Sequence, residues 1–298
     1  MTHSIYNDDC FNVFATLPDR SVDMVCVDPP YGTTQIDWDK TLDFSKMWLE
    51  LERIVKPKGN IIIFGSQPFT SLTIVSKIDW FRHELIWNKN KCGSPGLAKY
   101  RPQKVHENII LFSKESGGTY NPIMESGEPF KREAKNKEKG YGTGKNTHGY
   151  GFKKYTGSEN TGTRYPKSIL HASRNFSAQQ TVHPTQKPTN LLNWLIMTYS
   201  NPGETVMDFC MGSGSCGVSA KMTGRNFIGI EKTLEYFEIA KNRIAQAEGN
   251  IVAPTDIQLS TQLPDNIQTT PDSKYEKNVL DGIRNGNTDI GHWDSLFE

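Results

Sequence analysis

No stretch of this 298-residue chain approaches the roughly 18 consecutive apolar residues of a membrane-spanning helix. Its opening, MTHSIYNDDC, has no basic segment leading into an apolar one, so neither an anchor nor a secretory leader is expected. Cysteine is scarce. Cys10, Cys26, Cys92, Cys210 and Cys216 are odd in number and form no C-x-x-C pair, which argues against a disulfide framework and for a reduced cytoplasm. The seven histidines keep no metal-ligand spacing with one another or with cysteine, so no metal site is expected. Internal repeats are absent. Net charge is nearly absent too, with 34 Lys and Arg against 33 Asp and Glu. Its distribution is uneven. Residues 115–182 carry 11 basic and 6 acidic side chains, whereas residues 249–298 carry 3 and 8. A basic middle and an acidic tail cancel in the total.

What is present is an alternation of strand-like and helix-like segments. Short β-branched apolar runs mark strands over 21–28, 60–65, 83–89 and 108–113. Between the first two, residues 43–56 place Met47, Leu51, Ile54 and Val55 on one helical face, and Pro57 and Gly59 stop that helix. Apolar periodicity then lapses over 115–182, where 135–157 is close to low complexity. Order returns with a helix over 189–200, strand 204–209, helix 215–223, strand 226–231 and helix 233–247, the last with Leu234, Phe237, Ile244 and Ala247 on one face. The acidic end carries one short helical pattern near 276–284. Strands alternating with helices predict an α/β, Rossmann-like parallel sheet. Residues 1–114 and 183–248 form its halves, 115–182 an insert and 249–298 a tail.

Gly212-Ser213-Gly214-Ser215-Cys216-Gly217 fits G-x-G-x-x-G between a strand and a helix. Such glycines let backbone approach a ligand, and the helix N-terminus that follows favours negative charge. Glu231, 17 residues beyond Gly214 at the end of the next strand, suits a ribose diol. By itself this is a nucleoside-cofactor site, compatible with NAD or S-adenosylmethionine, or a tight turn with no ligand. Upstream, the strand over 21–28 ends on Asp28-Pro29-Pro30-Tyr31. In isolation those residues make a rigid turn. As a site they offer acceptors, from Asp28 and the Pro29 carbonyl, for the N–H groups of an exocyclic amine whose lone pair is delocalised. The prolines would hold the carbonyl still, and Tyr31 would present a stacking face.

DPPY at 28–31, HPTQKP at 183–188 and DFCMGSGSCG at 208–217, in that order with a basic insert between the first two, resemble the permuted β-group of DNA amino-methyltransferases. The resemblance spans about residues 4–248. It implies a circularly permuted methyltransferase sheet, S-adenosylmethionine as cofactor, double-stranded DNA as partner, base flipping, and a bacterial or phage source within a restriction-modification setting. It leaves a homodimer open. It also implies roles by position. Asp28, Pro29, Pro30 and Tyr31 would be catalytic. Asp9 would accept from the cofactor's adenine amine, with Cys10 beside it giving backbone. His183, Pro184, Thr185 and Lys187 would surround the methionine carboxylate. Asp208, Cys210, Gly212, Ser213, Gly214 and Glu231 would line the methionine and ribose, with Asp28 at their edge. Phe209, Cys210, Ser215 and Cys216 depart from the family's usual D-P-F-x-G-S-G-T-T, while the glycines stay.

DPPY leans to adenine-N6 over cytosine-N4, whose resembling members more often begin with Ser. A cytosine-C5 reaction would need a Pro-Cys pair, which the chain lacks. An RNA or protein-glutamine methyltransferase, a nicotinamide dehydrogenase and a non-catalytic DNA-binding regulator each leave one or more motifs unexplained. The insert supplies Lys153, Lys154 and Arg164 as candidate phosphate contacts among tyrosines and glycines, against the alternative of a solvated loop. Trp38 either lines a base pocket or packs. Lys89 and Lys91 either reach phosphate or end a strand in solvent. His106 and Glu107 are expected to be structural and core-facing, and Met211 and Cys216 to pack.

Overall fold

The structure is a computed structural model that describes residues 1–32, 42–89, 98–132, 158–172, 186–247 and Leu259. The chain alternates strand and helix from its first residues. β1 (His3–Tyr6) leads to α1 (Cys10–Phe14), β2 (Val22–Val27), α2 (Phe44–Ile54), β3 (Val55–Gly65) and α3 (Phe69–Ser76). A 3-10 turn precedes β4 (Phe81–Asn88) and β5 (His106–Ser113). The segment expected to be an insert contributes short strands: β6 (Glu125–Ser126), β7 (Phe130–Arg132), β8 (Ser158–Asn160), β9 (Thr163–Arg164) and β10 (Ile169–His171). The third motif region follows as α4 (Thr189–Tyr199), β11 (Thr205–Asp208), α5 (Ser215–Met222), β12 (Asn226–Ile230) and α6 (Leu234–Gln246). The described residues fall within one unit, Met1–Thr261; the helical pattern expected near 276–284 lies outside them.

One eight-stranded sheet runs β1-β12-β11-β2-β3-β5-β4-β10. Its neighbours pair in parallel except β3 with β5 and β5 with β4. The small strands pair as β6 with β9 and β7 with β8, while β10 joins the main sheet beside β4. The stretch read as an insert therefore returns a strand to the sheet before it ends.

Strand residues alternate between two cores, as a pleat requires. Met24, Cys26, Ile62 and Phe64 face a core shared with α4, α5 and α6. Val25, Val27, Ile61 and Ile63 face one shared with α1, α2 and α3. Asp43 caps α2 by accepting from Lys46 N at 3.2 Å. Met47, Trp48, Leu51 and Ile54 form its buried face; Trp48 is added to the expected set, and Val55, expected on that face, instead begins β3.

Two further expectations need correction. Pro57 and Gly59 do not stop α2; they lie inside β3, where pairing with β2 jumps from Val22↔Val55 to Met24↔Asn60. An irregularity of this kind tolerates a proline with no N–H to give. On α6, Leu234 is 61% exposed, and the buried contacts are Ala240 and Ile244. The reason is the Gly-rich turn beneath. A Cβ on Gly214 would come within 2.8 Å of Ala240 Cβ, so a small residue must meet a glycine there.

Gly217 is equally tight, since a Cβ there would lie 2.4 Å from Ile244 Cδ1 and 2.7 Å from Phe227 Cε1. Gly217→Ala is expected to lower the unfolding free energy by about 1–3 kcal/mol in urea. Adding Ile244→Val, which removes the clashing methyl, should recover part of that loss.

Candidate active site

β2 and β11 lie side by side at the centre of the sheet, and the chain's order runs outward from them in opposite directions. That is a topological switch point, where open α/β sheets place ligands beyond the strand C-termini. Acids stand there on adjoining strands: Asp28 just after β2, Asp208 ending β11 and Glu231 just after β12. Asp208 is fully enclosed. Burial above all pushes its carboxyl up to about 8, and the charges of Asp28 and Glu231 add to the shift. The Cys210 N–H, bonded to Oδ1 at 3.1 Å, and the Lys187 ammonium oppose it.

The Gly-rich turn is held by its neighbours. Glu231 Oε2 accepts from Gly212 N at 3.0 Å, and Oε1 accepts from Thr233 N at 2.8 Å. One carboxylate thus joins the turn to the start of α6. Gly214 takes φ 78°, a conformation that only glycine adopts readily, and begins α5. Arg243 on α6 donates to the Ser213 carbonyl, to Ser213 Oγ at 2.8 Å and to Ser215 Oγ at 3.3 Å. Ser213, expected at the cofactor, therefore turns its hydroxyl towards Arg243. Arg243 itself escapes a sequence reading because it lies far outside the motif.

β1 brings the N-terminus to β12, and Asn7 bonds the carbonyls of Glu231 and Lys232. Asp9 lands beside Glu231's strand. It caps α1 through Phe11 N at 3.0 Å and pairs with Lys232 at 3.1 Å, while a carboxylate retains further lone pairs. Cys10 and Cys210 pack nearby as neutral thiols. Burial raises Cys10 to about 12 and Cys210 well above the ordinary range. Met211 and Cys216 are buried, as expected.

Asp28 anchors a line of groups. Its Oδ1 accepts the Tyr31 hydroxyl at 2.5 Å, and its Oδ2 pairs with Lys187. The Tyr31 ring lies on Phe69 with centroids 5.0 Å apart, which fixes its tilt. Lys187 is buried and also meets Glu107 Oε2 at 3.4 Å; Glu107 Oε1 accepts from Lys89 at 2.9 Å. Lys187 was expected at a methionine carboxylate and Glu107 in a purely structural place. Both belong to one charged line reaching Asp28. Lys89, expected at phosphate or in solvent, is ion-paired to Glu107.

Arg164 is likewise engaged within its own segment. It donates to Asn160 Oδ1 and the Glu128 carbonyl, and it lies 4.7 Å from the Phe130 ring. These contacts tie the small strands together. Trp38, Lys91, Lys153, Lys154, His183, Pro184 and Thr185 lie outside the described residues. Sequence reasoning missed a basic stretch over residues 99–104. There Lys99, Tyr100 and Arg101 are exposed, and Lys104 donates to Ser66 Oγ at 2.5 Å.

Fold and site together define a nucleoside-cofactor enzyme with an acid-tipped switch point. The chain belongs to the DNA methylase family, which it matches over residues 22–242. It is 27% identical over 285 residues to the type II methyltransferase M.HinfI of Haemophilus influenzae, covering 86% of this chain and 71% of that protein. Among solved structures, the M1.HpyAVI–SAM complex aligns with a TM-score of 0.56 at 25% identity, over 82% of this chain and 99% of the other. The cytosine-N4-specific PvuII DNA methyltransferase aligns at 0.58 and 16% identity, over 96% and 94%, a likeness of fold.

Asp208 gives the site a pH signature. Its folded value is about 8 against an ordinary 3.8, so the unfolded chain releases this proton first. This group's contribution to stability therefore falls as pH rises from about 4 to about 8. Asp208→Asn, which keeps an acceptor for Cys210 N–H, should melt higher than the parent at pH 8.5 and show a smaller advantage at pH 5. Thermal unfolding at the two pH values checks this.

Proposed function

We propose that the chain is a DNA adenine-N6 methyltransferase that uses S-adenosylmethionine. The observation that carries the reading is Asp28. It is an acid on a proline-stiffened turn at the switch point, with its carboxylate fixed by Tyr31 and Lys187.

The residues present suit the cofactor. A cationic sulfonium is favoured beside the carboxylates of Asp28 and Glu231, while burial keeps Asp208 largely protonated near neutral pH. Ribose hydroxyls and the adenine amine need acceptors, which Glu231 and Asp9 carry. Gln186 Oε1 is buried with no hydrogen-bond partner among the described residues, an acceptor suited to an amino acid's ammonium. The glycine-opened turn admits a ligand close to backbone. Bound there, S-adenosylmethionine supplies the methyl group that is transferred.

The chain's own part is to prepare the amine. Asp28 accepts one N–H of the extruded base and the Pro29 carbonyl accepts the other, which localises the nitrogen lone pair. Asp28 then stabilises the positive charge that the nitrogen gains, an electrostatic effect that needs no strong base. Tyr31, seated on Phe69, offers the base a fixed stacking surface. An acid rather than Ser at the first position of the motif favours adenine over cytosine. DNA binding is supported by the basic insert and by the exposed Lys99 and Arg101, cations of the kind that pair with phosphate.

Labelled S-adenosylmethionine and mixed-sequence DNA, digested afterwards to nucleosides, test the reading. Label should appear in N6-methyladenine; label in N4-methylcytosine overturns the adenine assignment. Asp28→Ala should lose on the order of 100-fold or more in transfer. Its affinity for S-adenosylmethionine should stay within a few-fold, and retained transfer would remove Asp28 from this role.

A further inference from the structure

Accepting an amine N–H takes a lone pair on the Asp28 carboxylate, and each of its oxygens already has a partner that an incoming amine must share. Oδ1 holds the Tyr31 hydroxyl and Oδ2 holds the Lys187 ammonium. A charge-assisted bond from an ammonium outcompetes a neutral amine N–H at the same oxygen. An ammonium left there also opposes the positive charge that develops on the methylated nitrogen. Lys187 cannot step into solvent. It is 6% exposed, with its Nζ 5.0 Å from the Phe64 ring centre and 6.0 Å from that of Trp87.

A second carboxylate is already placed to receive it. Glu107 Oε2 lies 3.4 Å from Lys187 Nζ, and closing to about 2.8 Å would make a full charge-assisted bond. Glu107 is itself firmly set. It sits on β5 across from Trp87 of β4, it is 9% exposed, and its other oxygen holds Lys89 at 2.9 Å. Lys104 adds positive charge nearby. Moving one ammonium between two carboxylates in this line buries no new net charge, so the shift avoids the desolvation penalty of creating a buried ion.

We propose that Glu107 is a positioning residue for methyl transfer: it draws Lys187 off Asp28 Oδ2, which frees that oxygen for the target N–H. The ammonium's departure leaves the Asp28 charge uncompensated on the side where the nitrogen becomes cationic. Glu107 touches neither base nor cofactor and acts through Lys187. The proposal rests on the reading of Asp28 as the amine's acceptor.

Single-turnover methyl transfer on unmethylated genomic DNA, with S-adenosylmethionine affinity measured by calorimetry, tests it. Glu107→Gln should slow transfer 30-fold or more while the affinity stays within threefold. Glu107→Asp, which keeps the charge, should recover to within about fivefold of the parent. Because Glu107 works through Lys187, Glu107→Gln combined with Lys187→Met should be no slower than Lys187→Met alone. The double variant removes both members of the pair, so it carries the test even if Glu107→Gln fails to fold. The proposal is overturned by a Glu107→Gln rate within threefold of the parent, by affinity falling in step with rate, by no recovery in Glu107→Asp, or by a double variant more than threefold slower than Lys187→Met. A parent chain that puts no methyl on adenine overturns the reading of Asp28 and this proposal together. A parent that does so, alongside a fast Glu107→Gln variant, overturns this proposal alone.

Discussion

The site depends on the pairing of β2 with β11. Val206 lies opposite Met24 and Met207 opposite Val25, joining stretches about 180 residues apart. Asp23 secures the join from the other end of the strands, accepting from Thr205 N at 3.0 Å and pairing with Lys56 at 2.6 Å. Because the ladder is parallel, both strands deliver their C-termini to the same edge. Asp28 and Asp208 arrive there together, and burial raises Asp208 to about 8 with the Asp28 charge adding to the shift. A one-residue slip would turn Met24 and Val25 to the wrong cores and carry the acids apart.

Around that join, charge is arranged in two groups. At the Gly-rich turn, Glu231 holds Gly212 and the start of α6, and Arg243 holds Ser213 and Ser215. The glycines give the turn its shape, and these side chains keep it. Beyond β2, Tyr31 donates to the first member of a line, Asp28, Lys187, Glu107 and Lys89, that alternates in sign. Buried charges persist when they are paired in this way, and removing one member leaves its neighbour exposed to the full desolvation cost. Asp28 meets both the hydroxyl of its own turn and an ammonium 159 residues away.

Much of this was legible in residue order. The strand ending on Asp28, the glycines of 212–217 and the acid of Glu231 are local patterns, and local patterns survive the loss of three-dimensional context. The central helices and strands followed for the same reason. β1, α1 and α3 escaped because each is short and none shows a full turn of amphipathic period. Glu107 and Arg243 escaped for a different reason. Their roles come from cross-strand and helix-on-turn contacts, and nothing beside them in sequence marks these. Lys89 and Arg164 look like phosphate ligands as lone cations, until the fold supplies Glu107 to one and Asn160 and Glu128 to the other. Lys187 stands out in a motif, but its two carboxylate partners lie 159 and 80 positions away and no local pattern marks them.

The central claim is that Asp28 and its turn present an adenine amine for methylation. Modification-sensitive sequencing of genomic DNA from a host expressing the chain tests it most directly, because base and sequence context are read together. The account predicts N6-methyladenine at nearly every copy of one short sequence, and none in a host carrying Asp28→Ala. N4-methylcytosine, or N6-methyladenine that persists in the Asp28→Ala host and is absent without the chain, would contradict it.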